Sequence, residues 1–153
     1  MRITSLTTFA TNKRAHFDYE ILEKFEAGLV LLGKETKSIK TGHISLKESF
    51  VTIKRSELYL TNAHIPFYKH AGNASAYDPT RPRKLLLRKE EIKRIIGKAR
   101  TEGLTLVPIR VYTKKRYLKL EFGVAKGKKK YDKREDIKKR EDERGIRRRL
   151  KNF

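Results

Sequence analysis

Residues 17–25 alternate in character: Phe17, Tyr19, Ile21 and Phe25 interleave with Asp18, Glu20, Leu22 and Lys24, and this period of two predicts a β-strand. Glu26-Ala27-Gly28 is expected to turn the chain into the apolar residues 29–33 and then into a short polar helix that stops near Gly42. Alternation returns in residues 50–54 and 58–63, a strand pair that residues 54–57 are long enough to join. The pattern then fails from Pro66 to Arg83, where three prolines and Gly72 describe a long extended connection.

Three leucines in residues 84–88 read as a short buried strand, and Ile92, Ile95, Ile96 and Ala99 recur at helical spacing before Gly103. Residues 104–113 and 117–124 form the last hairpin, with Pro108 marking a bulge or an edge. About six short, mostly antiparallel strands with packed helices give a mainly β fold, a closed or nearly closed barrel of the oligonucleotide-binding type.

Charge adds a second part to this picture. Residues 126–153 hold 14 Lys or Arg against 6 Asp or Glu, a net of +8, with few apolar side chains to bury. Ordering costs about 1–2 kcal/mol per residue, so such a segment is expected to be disordered alone and to need a partner. Glu135 with Lys139, Asp136 with Arg140 and Glu143 with Arg147 stand at helical i,i+4 spacing, so the bound form is expected to be helical. The division predicted is a barrel domain over residues 1–125 and a basic C-terminal tail over residues 126–153. The whole chain carries +21 over 153 residues, which leaves +13 on the barrel and points to a phosphate-bearing partner, nucleic acid first.

Other classes fall away. No stretch approaches the length of a membrane span, and no apolar segment follows Met1, so neither a membrane site nor a secretory signal is expected. The absence of cysteine suits a cytoplasmic protein without disulfides or thiolate metal sites. His16, His43, His64 and His70 show no ligand spacing, and the serines sit in no nucleophile motif, so neither metal, cofactor nor catalysis is expected.

Five blocks carry a resemblance. Asn12-Lys13-Arg14-Ala15, Phe25-Glu26-Ala27-Gly28, Asp78-Pro79-Thr80-Arg81 with Arg83-Lys84-Leu85-Leu86-Leu87, Gly103-Leu104-Thr105-Leu106-Val107-Pro108, and Val124-Ala125-Lys126-Gly127-Lys128-Lys129 with Asp132-Lys133-Arg134 stand in the order seen in the SsrA-binding (SmpB) family. The chain resembles that family across nearly its whole length. The resemblance implies a non-catalytic protein that binds the tRNA-like domain of transfer-messenger RNA and, with elongation factor Tu, delivers it to stalled ribosomes for trans-translation.

By matching position, it implies RNA-binding roles for Asn12, Glu26, Leu86 and Lys119. It implies tail roles for Gly127, Tyr131, Asp132, Lys133, Arg134 and Leu150, with Lys128 and Lys129 in the same block, at 16S rRNA in the decoding centre and along the empty messenger channel. Tyr131 stands where some relatives have histidine, and Gly145 weakens the tail helix by about 1 kcal/mol relative to alanine. The residues themselves add Lys13, Arg14, Arg81 and Arg83 as cations for phosphates, and let Leu86 pack on an unstacked base. Glu26 has two readings, a contact to base amino groups or neighbouring cations, and a structural ion pair. The protein is expected to act as a monomer. The alternative is a structural ribosomal protein with a basic extension, which would be permanent and equimolar on ribosomes; an RNA-modifying enzyme would need cofactor or metal residues that the sequence does not show.

Overall fold

In the computed structural model, which describes residues 6–69, 71–72 and 76–151, the period-two stretch after residue 116 is a strand, β7 (Tyr117–Gly127). Leu118, Leu120, Phe122 and Val124 turn into the core, while Lys119 and Glu121 stay on the outer face. The other elements, in chain order, are β1 (Thr7–Thr11), α1 (Ala15–Asp18), β2 (Tyr19–Leu29), α2 (Gly33–Lys40), β3 (Phe50–Lys54), β4 (Glu57–Thr61), β5 (Arg83–Leu86), α3 (Lys89–Thr101), β6 (Thr105–Lys114) and α4 (Lys130–Lys151).

The strands form one seven-stranded sheet in the order β1-β6-β7-β2-β5-β4-β3, with every pair antiparallel. The fold is therefore mainly β, as expected, with one strand more than the six anticipated. Its two edges, β1 and β3, do not pair, so hydrogen bonds do not close the barrel. The sheet nevertheless wraps until β3 packs against β6, and side chains from nearly every strand meet α3 in one core, with Leu60, Leu85, Ile95, Leu120 and Phe122 at its centre.

Bulges in β2 and β6 change which face the side chains take. Register shifts at Pro108/Arg110 in β6 and at Ile21/Glu23 in β2, and an extra residue on one strand exchanges inside for outside beyond it. Leu106 and Val111 consequently share the main core, although an odd number of positions separates them. Val107 and Ile109 point to the other face and join Ala15 and Ala125 in a second small cluster beneath α1, with Tyr19 and Ile21 against it. Pro108 is thus a bulge residue inside the sheet, where its missing N–H is tolerated.

Several expectations are corrected at this level. β1 lies in residues read as polar lead-in, because its half-buried pair is only Phe9 and Ala10. Phe17 belongs to the short helix α1 and not to the strand that follows. No turn occurs at Glu26-Ala27-Gly28, since β2 runs unbroken through them to Leu29. The β3–β4 hairpin closes on Arg55 and Ser56, both with positive φ (51° and 60°), the geometry of a two-residue primed turn. Gly103, at φ 62°, follows α3 as anticipated.

Gly123 sits where β2 and β7 approach closely. A Cβ there would lie 2.7 Å from Ile21 Cγ2 and 3.1 Å from the Glu23 carbonyl oxygen, where the β2 bulge presses on β7. Gly123→Ala is expected to lower stability by about 1–3 kcal/mol through overpacking. Urea unfolding checks this: the midpoint should fall with little change in slope, and an unchanged midpoint would mean that the bulge relaxes freely.

Candidate nucleic-acid interface

Strand register brings Leu86 and Lys119 together although 33 positions separate them in the chain. Gly28 in β2 pairs with Leu86 of β5 on one side and with Lys119 of β7 on the other, and Lys119 in turn pairs with Tyr112 of β6. The central position of this row has no side chain. A Cβ at Gly28 would sit 3.3 Å from Leu86 Cβ, so glycine leaves the floor between the leucine and the lysine open. The result is a cleft of about 440 Å³ lined by Gly28, Leu31, Thr36, Leu86, Tyr117 and Lys119. Leu86 is 54% exposed and Tyr117 69% exposed, and Arg116 also borders the cleft. The surface offers apolar and aromatic faces beside cations, the combination that stacks on bases and holds a phosphate backbone.

Glu26 lies in the next row of the same face, opposite Glu121, which in turn opposes Arg110. Two like charges directly across a ladder are unfavourable unless each is matched. Here Arg110 donates from Nε and Nη2 to Glu121 Oε2, each at 3.2 Å. Glu26 accepts a hydrogen bond from the Tyr112 hydroxyl, and Lys114 Nζ stands 3.4 Å from its other oxygen. The Tyr112 hydrogen bond is the main cause of a Glu26 pKa below the usual carboxylate range, and Lys114 and Lys119 add to it. Burial and the same hydrogen bond push the Tyr112 phenol up. Glu26 is thus a partner of Tyr112 and Lys114, and about a third of its side chain still faces solvent.

Asn12, Lys13 and Arg14 are not brought to this cleft. They sit beside Tyr19 at the opposite end of β2, nine residues from Gly28, or about 30 Å at roughly 3.3 Å per residue. Asn12 Nδ2 donates to the Pro108 carbonyl at 2.9 Å and so ties the end of β1 to the β6 bulge. Arg14 and Asn12 line a second cleft of about 410 Å³ with Lys47, Phe50 and Val107. Lys13 is exposed.

Arg83 faces inward. Its guanidinium is fully buried and donates to Glu35 Oε2 at 2.8 Å, to the Ala63 carbonyl at 2.6 Å and to the Pro79 carbonyl at 2.9 Å. With its donors spent on the protein, Arg83 is left out of the phosphate-binding set. Arg81 shares the same carboxylate and is half-buried. Glu35, with no exposure, was not singled out by the sequence, where it is one acidic residue in a short polar helix. Burial alone would raise its pKa, but hydrogen bonds from Arg81, the Leu32 N–H and Arg83 outweigh that and hold it low.

The tail begins inside the sheet. β7 continues to Gly127, and the Lys128 N–H donates to the Asp18 carbonyl at 2.9 Å before α4 starts. Asp136 pairs with Lys128, not with Arg140, whose guanidinium lies 5.3 Å from the Phe17 ring centroid. Lys133 Nζ is 3.3 Å from Asp18 Oδ1, and Arg14 donates to the other oxygen of that carboxylate at 3.2 Å. Lys129, Asp132, Arg134 and Leu150 are exposed, and the Tyr131 side chain lies outside the described residues. No helix among the described residues is long and apolar enough to cross a membrane.

Comparison with known proteins places the chain in a family. The family described as SmpB protein matches residues 9–152. The SsrA-binding protein of Geobacillus kaustophilus is 53% identical over 139 residues, covering 91% of this chain and 89% of its own. That of Thermosipho africanus is 52% identical over 147 residues, covering 95% and 98%. A solved chain described as "tmRNA-SmpB: a journey to the center of the bacterial ribosome" is 45% identical, with a TM-score of 0.64 over 78% of this chain and 84% of that one. With a family match spanning both sheet and tail, and relatives more than half identical over nine-tenths of its length, this chain belongs to the SmpB family of SsrA-binding proteins.

Proposed function

We propose that this chain is a non-catalytic RNA-binding factor of trans-translation that grips the tRNA-like domain of transfer-messenger RNA in the cleft between Leu86 and Lys119. The observation that carries this is the Leu86–Gly28–Lys119 row, which places an exposed apolar side chain and a cation across an open floor on one face of the sheet. Leu86 and Tyr117 pack on unstacked bases of a loop, and Lys119 neutralises a backbone phosphate. Glu26, held low in pKa and partly exposed, accepts from base amino groups at the edge of the same cleft. Lys13, Arg14 and Arg81 add cations, Arg81 with its charge partly spent on Glu35.

The tail serves the ribosome. Gly127, Lys128 and Lys129 lead from the sheet into α4, where Tyr131, Asp132, Lys133 and Arg134 meet 16S rRNA at the decoding centre and Leu150 anchors the far end in the empty messenger channel. Alone, with net charge +8, the tail does not hold this helix, and rRNA phosphates complete it. The protein works as a monomer in the cytoplasm, carried to the ribosome with elongation factor Tu. The solved chain described as "tmRNA-SmpB: a journey to the center of the bacterial ribosome" supports transfer-messenger RNA and the ribosome as partners.

Three outcomes follow from it. Lys119→Ala should weaken binding of the tRNA-like domain and flatten the slope of log affinity against log salt by about one unit, as for one lost phosphate contact; an unchanged affinity and slope would place Lys119 on a bare solvated face. Glu26→Gln tests the sign of a charge. A merely repulsive carboxylate would bind RNA more tightly once neutralised, whereas an accepting one should be missed, so filter binding should show weaker association. Deleting residues 129–153 leaves β7 and the Lys128 anchor in place. That truncated protein should bind the RNA within severalfold of the intact chain and lose peptide tagging on stalled ribosomes, and tagging that persists would refute the tail's role.

A further inference from the structure

We infer that Glu35 is a positioning residue for the RNA cleft, a buried clamp that sets the separation of its two walls without touching the RNA; this inference rests on the cleft reading above. Facing the Lys119 and Tyr117 side of β7, one wall is the connection after β2 with the first turn of α2, which contribute Leu31 and Thr36, and the other is Leu86 at the end of β5. Glu35 is joined to both. Its Oε1 accepts from the Leu32 N–H at 2.9 Å, closing the N-terminus of α2 one residue before Thr36. Its Oε2 accepts from Arg83 Nε at 2.8 Å, three residues before Leu86 in the same strand.

The clamp extends into the connection that precedes β5. Arg81 donates to both carboxylate oxygens. The Tyr77 hydroxyl donates to the Ile65 carbonyl at 2.7 Å and accepts from Arg83 Nη2 at 3.2 Å. Lys34 lies over the Tyr77 ring, 4.8 Å from its centroid. Arg83 adds donors to the Ala63 and Pro79 carbonyls. Backbone pairing between the walls is short: the β2–β5 ladder holds only Gly28–Leu86 and Leu29–Leu85, extended by the Val30 N–H to the Lys84 carbonyl. So brief a ladder leaves the orientation of Leu86 to the side chains behind it, and one carboxylate collects them. A fully buried Glu–Arg pair adds little net stability over an apolar substitute but tolerates only one arrangement, which suits a part that fixes geometry.

The test compares Glu35→Gln, Tyr77→Phe, Lys119→Ala and Leu86→Ala with the intact chain, measuring affinity for the tRNA-like domain across salt concentrations well below each protein's unfolding temperature. Glu35→Gln should bind about tenfold more weakly with an unchanged salt slope. Tyr77→Phe, which keeps every ion pair, should show a smaller loss of the same kind, about threefold. If Glu35→Gln does not fold, Tyr77→Phe decides. Wild-type affinity in a folded clamp variant overturns the inference, and so does a loss accompanied by a slope flattened by about one unit, which would mean a direct phosphate contact through Arg81. Failure of the cleft reading looks different: Leu86→Ala and Lys119→Ala would then bind as tightly as the intact chain.

Discussion

One carboxylate with no access to solvent holds the functional half of this molecule in register. Glu35 pairs with both Arg83 and half-buried Arg81, caps α2 and stands within reach of the Tyr77 hydroxyl, so a helix, a strand and a long connection meet at a single side chain. Removing one partner from such a buried pair costs about 3–5 kcal/mol, because the other charge is left uncompensated. What depends on Glu35 is where residues 77–83 lie, and through them the place of Leu86 on the surface.

The same principle of matching a few charges and leaving the rest free shapes the outer face. On a chain of net charge +21, carboxylates are scarce, and those on the sheet are spent with economy. Glu121 engages Arg110, Glu23 engages Arg94 and Lys98, and Glu26 engages Tyr112 and Lys114. Lys119, Arg116 and Lys13 are in none of the protein's ion pairs among the described residues, and they remain available for phosphate. An unbalanced positive field opposes compaction of the free protein and favours a polyanion complex, the cost and the gain arising from the same charges.

Much of this was legible in the sequence where one physical signal acted alone. The helix α3, the final hairpin and the β3–β4 pair followed from periodicity, and Pro108 announced its bulge. The missed elements are those where signals compete. β1 has only Phe9 and Ala10 to bury, Phe17 continues a strand pattern while its backbone is helical, and Gly28 imitates a turn because the cleft needs a missing side chain there. Of the candidate site, Leu86, Lys119 and Glu26 were named from resemblance and the fold brings them to one face, whereas Arg83 was read as a surface cation because its buried partner lies 48 positions earlier. No local pattern signals Glu35, whose side-chain partners Tyr77, Arg81 and Arg83 lie more than forty positions later in the chain.

The central claim is recognition of a tRNA-like fold by the Leu86–Lys119 cleft, and a competition titration tests it most directly. The intact chain would be titrated with the tRNA-like domain of transfer-messenger RNA and with an ordinary tRNA of equal length at one physiological salt concentration. The structure predicts that the tRNA-like domain binds tighter by at least about tenfold and that Leu86→Ala erases most of the difference. Equal affinity for the two RNAs, unaffected by Leu86→Ala, would reduce the cleft to one more patch of a uniformly basic surface and contradict the account.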